Sequence, residues 1–372
     1  MRILYWGDSP LVGTGYGRQA YGVLASLASA GHEITAVGLS SHRDATITRP
    51  QHNLTVWPIP FSGPDPFGRT AMMERVEDAD VLLVIGDSWL VPPRSFIKKP
   101  IVWYTGIDLP AFEQVRPFIR DVDFCVAGNE WGRSCIQAAS PKRIDIIPHG
   151  HDLSTFNSAF TYSERLRWRH EYIGASAYSV LLTNVAQNTP KKNLVNLVYA
   201  FATFKDELQV HESKTATLYL HCKPIEHDPL WDKHIDLVSA ADDCGLRIGR
   251  DIVFPAEPPP FGRNSTPYDI ARILACSDAF VSSSVSEGWC LPMTEAMAVG
   301  TPVIVPSTTV FPELATDRGW VYPAQETPSE GDIVNGLRAW WHARREGFVP
   351  PVVERAMEWV RRLSWDEVGP MW

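Results

Sequence analysis

The chain has 372 residues, 45% of them hydrophobic, which suits two domains of ordinary size, each able to bury a core. Its formal net charge of −9 argues against a protein wrapped in nucleic acid and leaves at most a local basic strip. The six cysteines, Cys125, Cys135, Cys222, Cys244, Cys276 and Cys290, show no Cys-x-x-Cys spacing, so neither a zinc nor a redox motif is expected. No apolar run approaches membrane-spanning length, and Met1-Arg2 leads directly into a short apolar strand, so the expected setting is cytoplasmic.

In chain order, Ile3–Trp6 is a short apolar strand, followed by a Gly-rich loop and a helix from about Gly17 to Ala30 that ends at Gly31. Strands are expected at 33–39, 54–59, 81–85, 101–104, 124–127 and 144–147, with helices near 69–76, 111–120 and 130–139. The strand patterns are continuous rather than alternating, as in a parallel sheet covered on both faces. Pro148-His149-Gly150-His151-Asp152 interrupts the alternation, which then restarts. Strands follow at 179–185, 217–220, 251–254, 279–282 and 302–305, and helices at 193–204, 230–242 and 268–275. The stretch 255–267 is a Pro- and Gly-rich loop, and a last helix covers about 352–363. The domains are thus expected at 1–150 and 151–350, with 351–372 as a helical segment returning to the first. Two α/β domains place ligands at the ends of their parallel strands.

Ser286 to Val305 carries the densest chemistry. A polar loop with Glu287 and Gly288 leaves the strand at 279–282, and Pro292 suits the opening turn of a helix. Glu295 is then expected in that first turn. Free N–H groups there, aided by the helix dipole, suit a diphosphate, and the two carboxylates suit hydroxyls of a sugar and a ribose. The same residues also read as a solvated loop whose glutamate complements the dipole.

Glu287-Gly288-Trp289-Cys290-Leu291-Pro292, with Glu295 and the trailing Ala296-Met297-Ala298-Val299-Gly300-Thr301-Pro302-Val303-Ile304, resembles the signature of glycosyltransferase family 4. The resemblance implies a GT-B fold, two Rossmann-like doubly wound α/β domains facing a central cleft. It further implies that Glu287 contacts a donor sugar and Glu295 its ribose, with Gly288, Trp289, Cys290 and Leu291 lining the donor. Cys290 stands where that family usually has Gly. A second similarity is Asn184-Val185-Ala186-Gln187-Asn188-Thr189-Pro190-Lys191-Lys192-Asn193. It implies that Lys192 clamps the donor phosphates, with Asn188 and Lys191 beside it, while Gln187 occupies the position of a usual Arg.

Gly13-Thr14-Gly15-Tyr16-Gly17 does not fit the dinucleotide fingerprint. The resemblance brings Gly15 and Gly17 to the donor; the residues alone serve equally for a tight turn. Asp108, where many relatives have a His, is a candidate for orienting the acceptor hydroxyl or for capping a helix beginning near Pro110. Asp121-Val122-Asp123 reads as surface charge, and the scattered histidines give no metal set. Ser364-Trp365-Asp366 is similar to the family's closing Ser/Thr-Trp element.

The expectation is therefore a retaining, metal-independent transferase with no cofactor, moving a hexosyl or pentosyl group from a nucleotide-diphosphate sugar through Lys192, Glu287 and Asp108. The wording is similar to a phage or archaeal branch, so a hydroxymethylated DNA base stays among the acceptors, beside a glycan or a small molecule. A non-catalytic nucleotide-sugar binder is the alternative of a different class.

Overall fold

A computed structural model describes residues 1–372 apart from 41–46, 50–52, 61–63, 109–111, 158–159, 177–178, 213–214, 229–232 and 256–265. The chain divides into two compact units, Met1–Gly150 with Arg362–Trp372, and His151–Arg361.

The first unit runs β1 (Arg2–Asp8), α1 (Gly15–Ser29), β2 (Glu33–Leu39), β3 (Ile47–Arg49), β4 (Leu54–Pro58), α2 (Arg69–Val76), β5 (Val81–Ile85), β6 (Ile101–Thr105), α3 (Phe112–Ile119), β7 (Phe124–Ala127), α4 (Glu130–Ala139) and β8 (Ile144–Ile146). Its sheet has the order β3-β4-β2-β1-β5-β6-β7-β8. Every neighbouring pair is parallel except β3 with β4. The sequence pattern explains this. In β1, Leu4 and Trp6 enter one core and Ile3 and Tyr5 another, so both faces are covered and the strand is apolar throughout. The helix expected near Pro110 begins at Phe112; Pro110 itself lies outside the described residues.

The second unit runs α5 (Tyr162–Ile173), β9 (Val180–Val185), α6 (Leu194–Glu212), β10 (Ala216–His221), β11 (Ile225–Asp228), β12 (Lys233–Asp236), α7 (Leu237–Asp243), β13 (Ile252–Val253), α8 (Pro267–Ala275), β14 (Ala279–Val281), α9 (Leu291–Ala298), β15 (Val303–Pro306), α10 (Phe311–Ala315), β16 (Trp320–Tyr322), α11 (Glu330–Arg345) and α12 (Val349–Arg361). Its parallel sheet has the order β13-β10-β9-β14-β15-β16. Most of the stretch expected as loop between 255 and 267 lies outside the described residues.

Two expectations need correction. The helix placed at 230–242 begins only at Leu237, because the Asp236 carboxylate accepts the N–H groups of Val238 and Ser239 and caps it there. Ahead of it β11 and β12 form a hairpin with His227 opposite His234. The segment 351–372 does not act as one returning piece. Helix α12 belongs to the second unit, where Ala356 and Val360 are buried and Met357 and Val353 lie against Gly300. Only Arg362–Trp372, with the short α13 (Trp365–Val368), joins the first unit. Among the described residues no helix is long and apolar enough to cross a membrane.

In each sheet the strand order reverses beside its first strand. The chain winds outward from β1 through β2 and returns at β5; it winds outward from β9 through β10 and returns at β14. Loops at such a reversal diverge and leave a crevice at the carboxyl ends of the strands.

Candidate active site

In the second unit the loops after β9 and β14 flank the reversal. Chain leaves β9 through Pro190–Lys192, a single 3-10 turn, and Asn193 at φ 53° redirects it into α6. Asparagine tolerates that left-handed backbone better than most residues, and its side-chain amide donates to the Pro328 carbonyl at 2.8 Å. Two bonds fasten this turn to the β14 loop: Val285 N–H to the Lys191 carbonyl, 2.8 Å, and Ser283 hydroxyl to the Lys192 carbonyl, 2.8 Å.

The Lys192 ammonium is thereby delivered to the Glu287 carboxylate, and the two form an ion pair with side chains only 15% and 13% exposed. Ser284 Oγ donates to the same carboxylate oxygen at 2.9 Å. Glu287 N–H donates to Thr309 Oγ1 at 3.1 Å, bringing in the loop after β15. The polar runs Ser282-Ser283-Ser284 and Ser307-Thr308-Thr309, each following a strand, were the available signal for these residues, which sequence reasoning missed.

Helix α9 opens at Cys290, which holds φ 69° and ψ 69° and provides no side-chain cap. The left-handed region favours glycine, so a residue with a Cβ is strained here. The Cys290 thiol is buried within electrostatic reach of Glu287, Lys192 and Glu295; burial above all, and then Glu287, pushes its pKa up. Lys192, Glu287, Cys290 and Glu295 are thus brought together. Glu295 is the fifth residue of α9 and wholly buried, not in the first turn, because the helix starts at Leu291. Trp289 is also buried, its indole stacked 6.5 Å from that of Trp359 on α12, so this side chain is committed to packing. Gly288 is buried and Leu291 half-buried. Asn188 is buried with its amide 3.4 Å and 3.5 Å from the carbonyls of Pro224 and Ile235, steadying the hairpin. Gln187 and Lys191 are exposed.

Gly15, Gly17 and Asp108 lie in the first unit, the glycines after β1 and Asp108 after β6. Thr14 caps α1 by accepting from Gly17 N–H and donates to Asp8 at 2.6 Å. A Cβ at Gly17 would meet the carbonyl oxygens of Val12 and Ser9 at 2.6 Å and 2.8 Å, so packing alone requires glycine there. At Gly15 a Cβ would meet nothing within 4 Å. Tyr16 hydroxyl reaches Asp87 at 3.0 Å, and burial, with Asp87 and Asp108 next, holds its pKa well above the ordinary tyrosine value. Asp108 itself is half-buried. Asp123 of the Asp-x-Asp string accepts from Ile101 N–H and pairs with Arg94, both at 2.8 Å, a structural role at a strand start.

Residues 261–344, spanning Glu287 and Glu295 but not Lys192, match the family model of glycosyl transferases group 1. Among curated proteins no sequence matches this chain. The fold is similar to sucrose-phosphate synthase from Thermosynechococcus elongatus, with a TM-score of 0.76 at 15% identity over 100% of this chain and 97% of that one. It is similar to Anabaena HepE in complex with UDP-glucose, with a TM-score of 0.72 at 14% identity over 100% and 98%. It is similar also to WaaG, a glycosyltransferase involved in lipopolysaccharide biosynthesis, with a TM-score of 0.71 at 16% identity over 100% and 99%. The architecture is GT-B, two Rossmann-like units each built on a parallel sheet. The segment similar to glycosyl transferases group 1 thus contains the loop after β14 and helix α9, at the reversal of the second sheet.

Proposed function

We propose that the chain moves a sugar from a nucleotide-diphosphate sugar to a hydroxyl acceptor with retention of anomeric configuration, in the manner of glycosyltransferase family 4. The observation that carries this reading is the Lys192–Glu287 ion pair at the reversal between β9 and β14. A lysine and a glutamate placed there match the two ends of such a donor. The ammonium offsets charge that grows on the departing diphosphate, and the carboxylate accepts hydrogen bonds from sugar hydroxyls. The uncapped N-terminus of α9 adds backbone dipoles to the same place. Glu295 is proposed for the ribose, and Asp108 for the acceptor hydroxyl. In a front-face reaction the leaving phosphate oxygen takes the acceptor proton, so no glycosidase-like carboxylate pair is needed. Neither metal nor cofactor enters this scheme.

The test is hydrolysis or transfer of UDP-, GDP- and ADP-sugars, followed with melting temperature on the same preparations. Lys192→Ala is expected to lower the rate constant about 10²–10³-fold while the fold survives. Glu287→Gln is expected to lower turnover while nucleoside diphosphate still binds. Full activity in either folded variant, or complete loss in excess chelator, would refute the proposed chemistry.

A further inference from the structure

We propose that the exposed aromatic pair Phe67 and Trp89, with the Asp87 carboxylate beside it, is a platform on the first unit for a neutral sugar ring. We assign it to the acceptor, an assignment that rests on the transfer reading above.

Phe67 is 47% exposed and Trp89 44%, and their rings meet edge to face with centroids 5.2 Å apart. Neither ring is on a loose tip. The Phe67 carbonyl accepts from the indole N–H of buried Trp6 at 2.8 Å. Gly68 follows at φ 61°, wedged among Ile59, Val37 and Leu39, and the Asp65 carboxylate takes the N–H groups of Arg69 and Thr70 at 2.9 Å and 2.7 Å. On the other side, the Gly86 carbonyl accepts from the Trp103 indole at 2.9 Å, and buried Leu90 anchors the turn that carries Trp89. The backbone therefore holds two large rings in water at the carboxyl end of β5, where a covering ligand would remove apolar surface from solvent.

Asp87 supplies the polar half. One carboxylate oxygen accepts from Tyr16 and the other from the Trp89 indole at 3.3 Å, which fixes the group and leaves further lone pairs on both oxygens. An aromatic face attracts the electropositive C–H face of a pyranose, and a fixed carboxylate accepts its hydroxyls. Charge selects against the other acceptor chemistry. Asp8 and Asp108 lie near the same Tyr16–Asp87 contact, each coupled to it electrostatically, so a phosphodiester meets like charge where nucleic-acid binding needs cations.

The full chain with 15N-labelled indoles is titrated with maltotriose, cellotriose, chitotriose and, separately, a short DNA duplex. Calorimetry with UDP, GDP and ADP runs on the same preparations. At least one trisaccharide is expected to move the Trp89 indole signal. Its affinity should fall on the order of tenfold in Trp89→Ala and in Asp87→Asn, and persist in Trp89→Phe, with melting temperature and nucleoside diphosphate affinity unchanged. No response to any trisaccharide, a response to the duplex instead, or wild-type affinity in the Trp89→Ala and Asp87→Asn variants would overturn the platform. Failure of all three nucleoside diphosphates to bind, with the saccharide response intact, would count against the donor reading and leave the platform standing.

Discussion

On the proposed reading, a lysine and a glutamate that neutralise each other must exchange partners when a diphosphate arrives. Lys192 and Glu287 are held together by the Ser283, Ser284 and Thr309 bonds around them, so the exchange is local and needs little rearrangement. Cys290 is the strained member of this group. A left-handed backbone costs a residue with a Cβ about 1–2 kcal/mol. Cys290→Gly removes thiol and strain together, whereas Cys290→Ala removes the thiol and keeps the strain. Cys290→Gly is therefore expected to be more stable than Cys290→Ala by about 1 kcal/mol, measured by urea unfolding; the opposite order would mean that the strain is not there. Glu287 and Lys192 were legible as candidates because they follow readable strands, and Glu295 because Pro292 marks the opening of α9. Their second neighbours were not. Ser283 and Thr309 act through bonds between loops after different strands, and no spacing within one loop encodes those.

At the scale of elements, the two edges of the second sheet have different tasks. Its carboxyl edge carries the candidate site, while its amino edge is tied by Asp278. This carboxylate accepts from the Leu181 N–H at 2.8 Å, pairs with Arg344 at 2.7 Å and pairs with Arg169, whose side chain is only 7% exposed. It thus joins β9, α5 and α11. Asp278→Ala leaves the Arg169 charge buried without its carboxylate, and a loss of about 3–5 kcal/mol is expected. Donor affinity of the protein that remains folded should be unchanged, which calorimetry below the melting temperature checks. The parallel strands themselves were readable from continuous apolar runs, since burial on both faces leaves no room for alternation. The β11–β12 hairpin was not, because Ile225–Asp228 and Lys233–Asp236 each carry a single apolar residue, too few to show an alternation.

At the scale of the whole molecule, acid stability falls on a buried imidazole. His221 ends β10, is 4% exposed, and lies 3.0 Å from the Tyr219 hydroxyl through Nδ1. Burial lowers its pKa to about 4, against roughly 6.5 in an unfolded chain. Between those values the unfolded chain binds a proton that the folded one does not. Stability therefore rises with pH across this window: the contribution is complete above about 6.5 and is lost as pH falls toward 4. His221→Gln should flatten the pH dependence of the urea midpoint between pH 4.5 and 7, relative to the parent protein. An unchanged slope would assign the acid sensitivity to other groups. The partition into two units was marked in the sequence by the break at 148–152. The point of return was not, because α12 has the same amphipathic pattern whichever unit it packs on.

That return has a consequence for how the protein is made. Trp365 sits in a socket between Gly22 of α1 and Gly150, where any Cβ would collide with its indole, and Trp372 lies against Tyr104. The first unit is thus written in two pieces, with the entire second unit between them. A ribosome delivers the chain from the amino end at about 5–20 residues per second, and domains ordinarily fold as they emerge. Here the earlier piece must wait with its socket open while the later unit is translated. A chain that ends at Arg361 holds every residue of the second unit but lacks the Trp365 and Trp372 that complete the first.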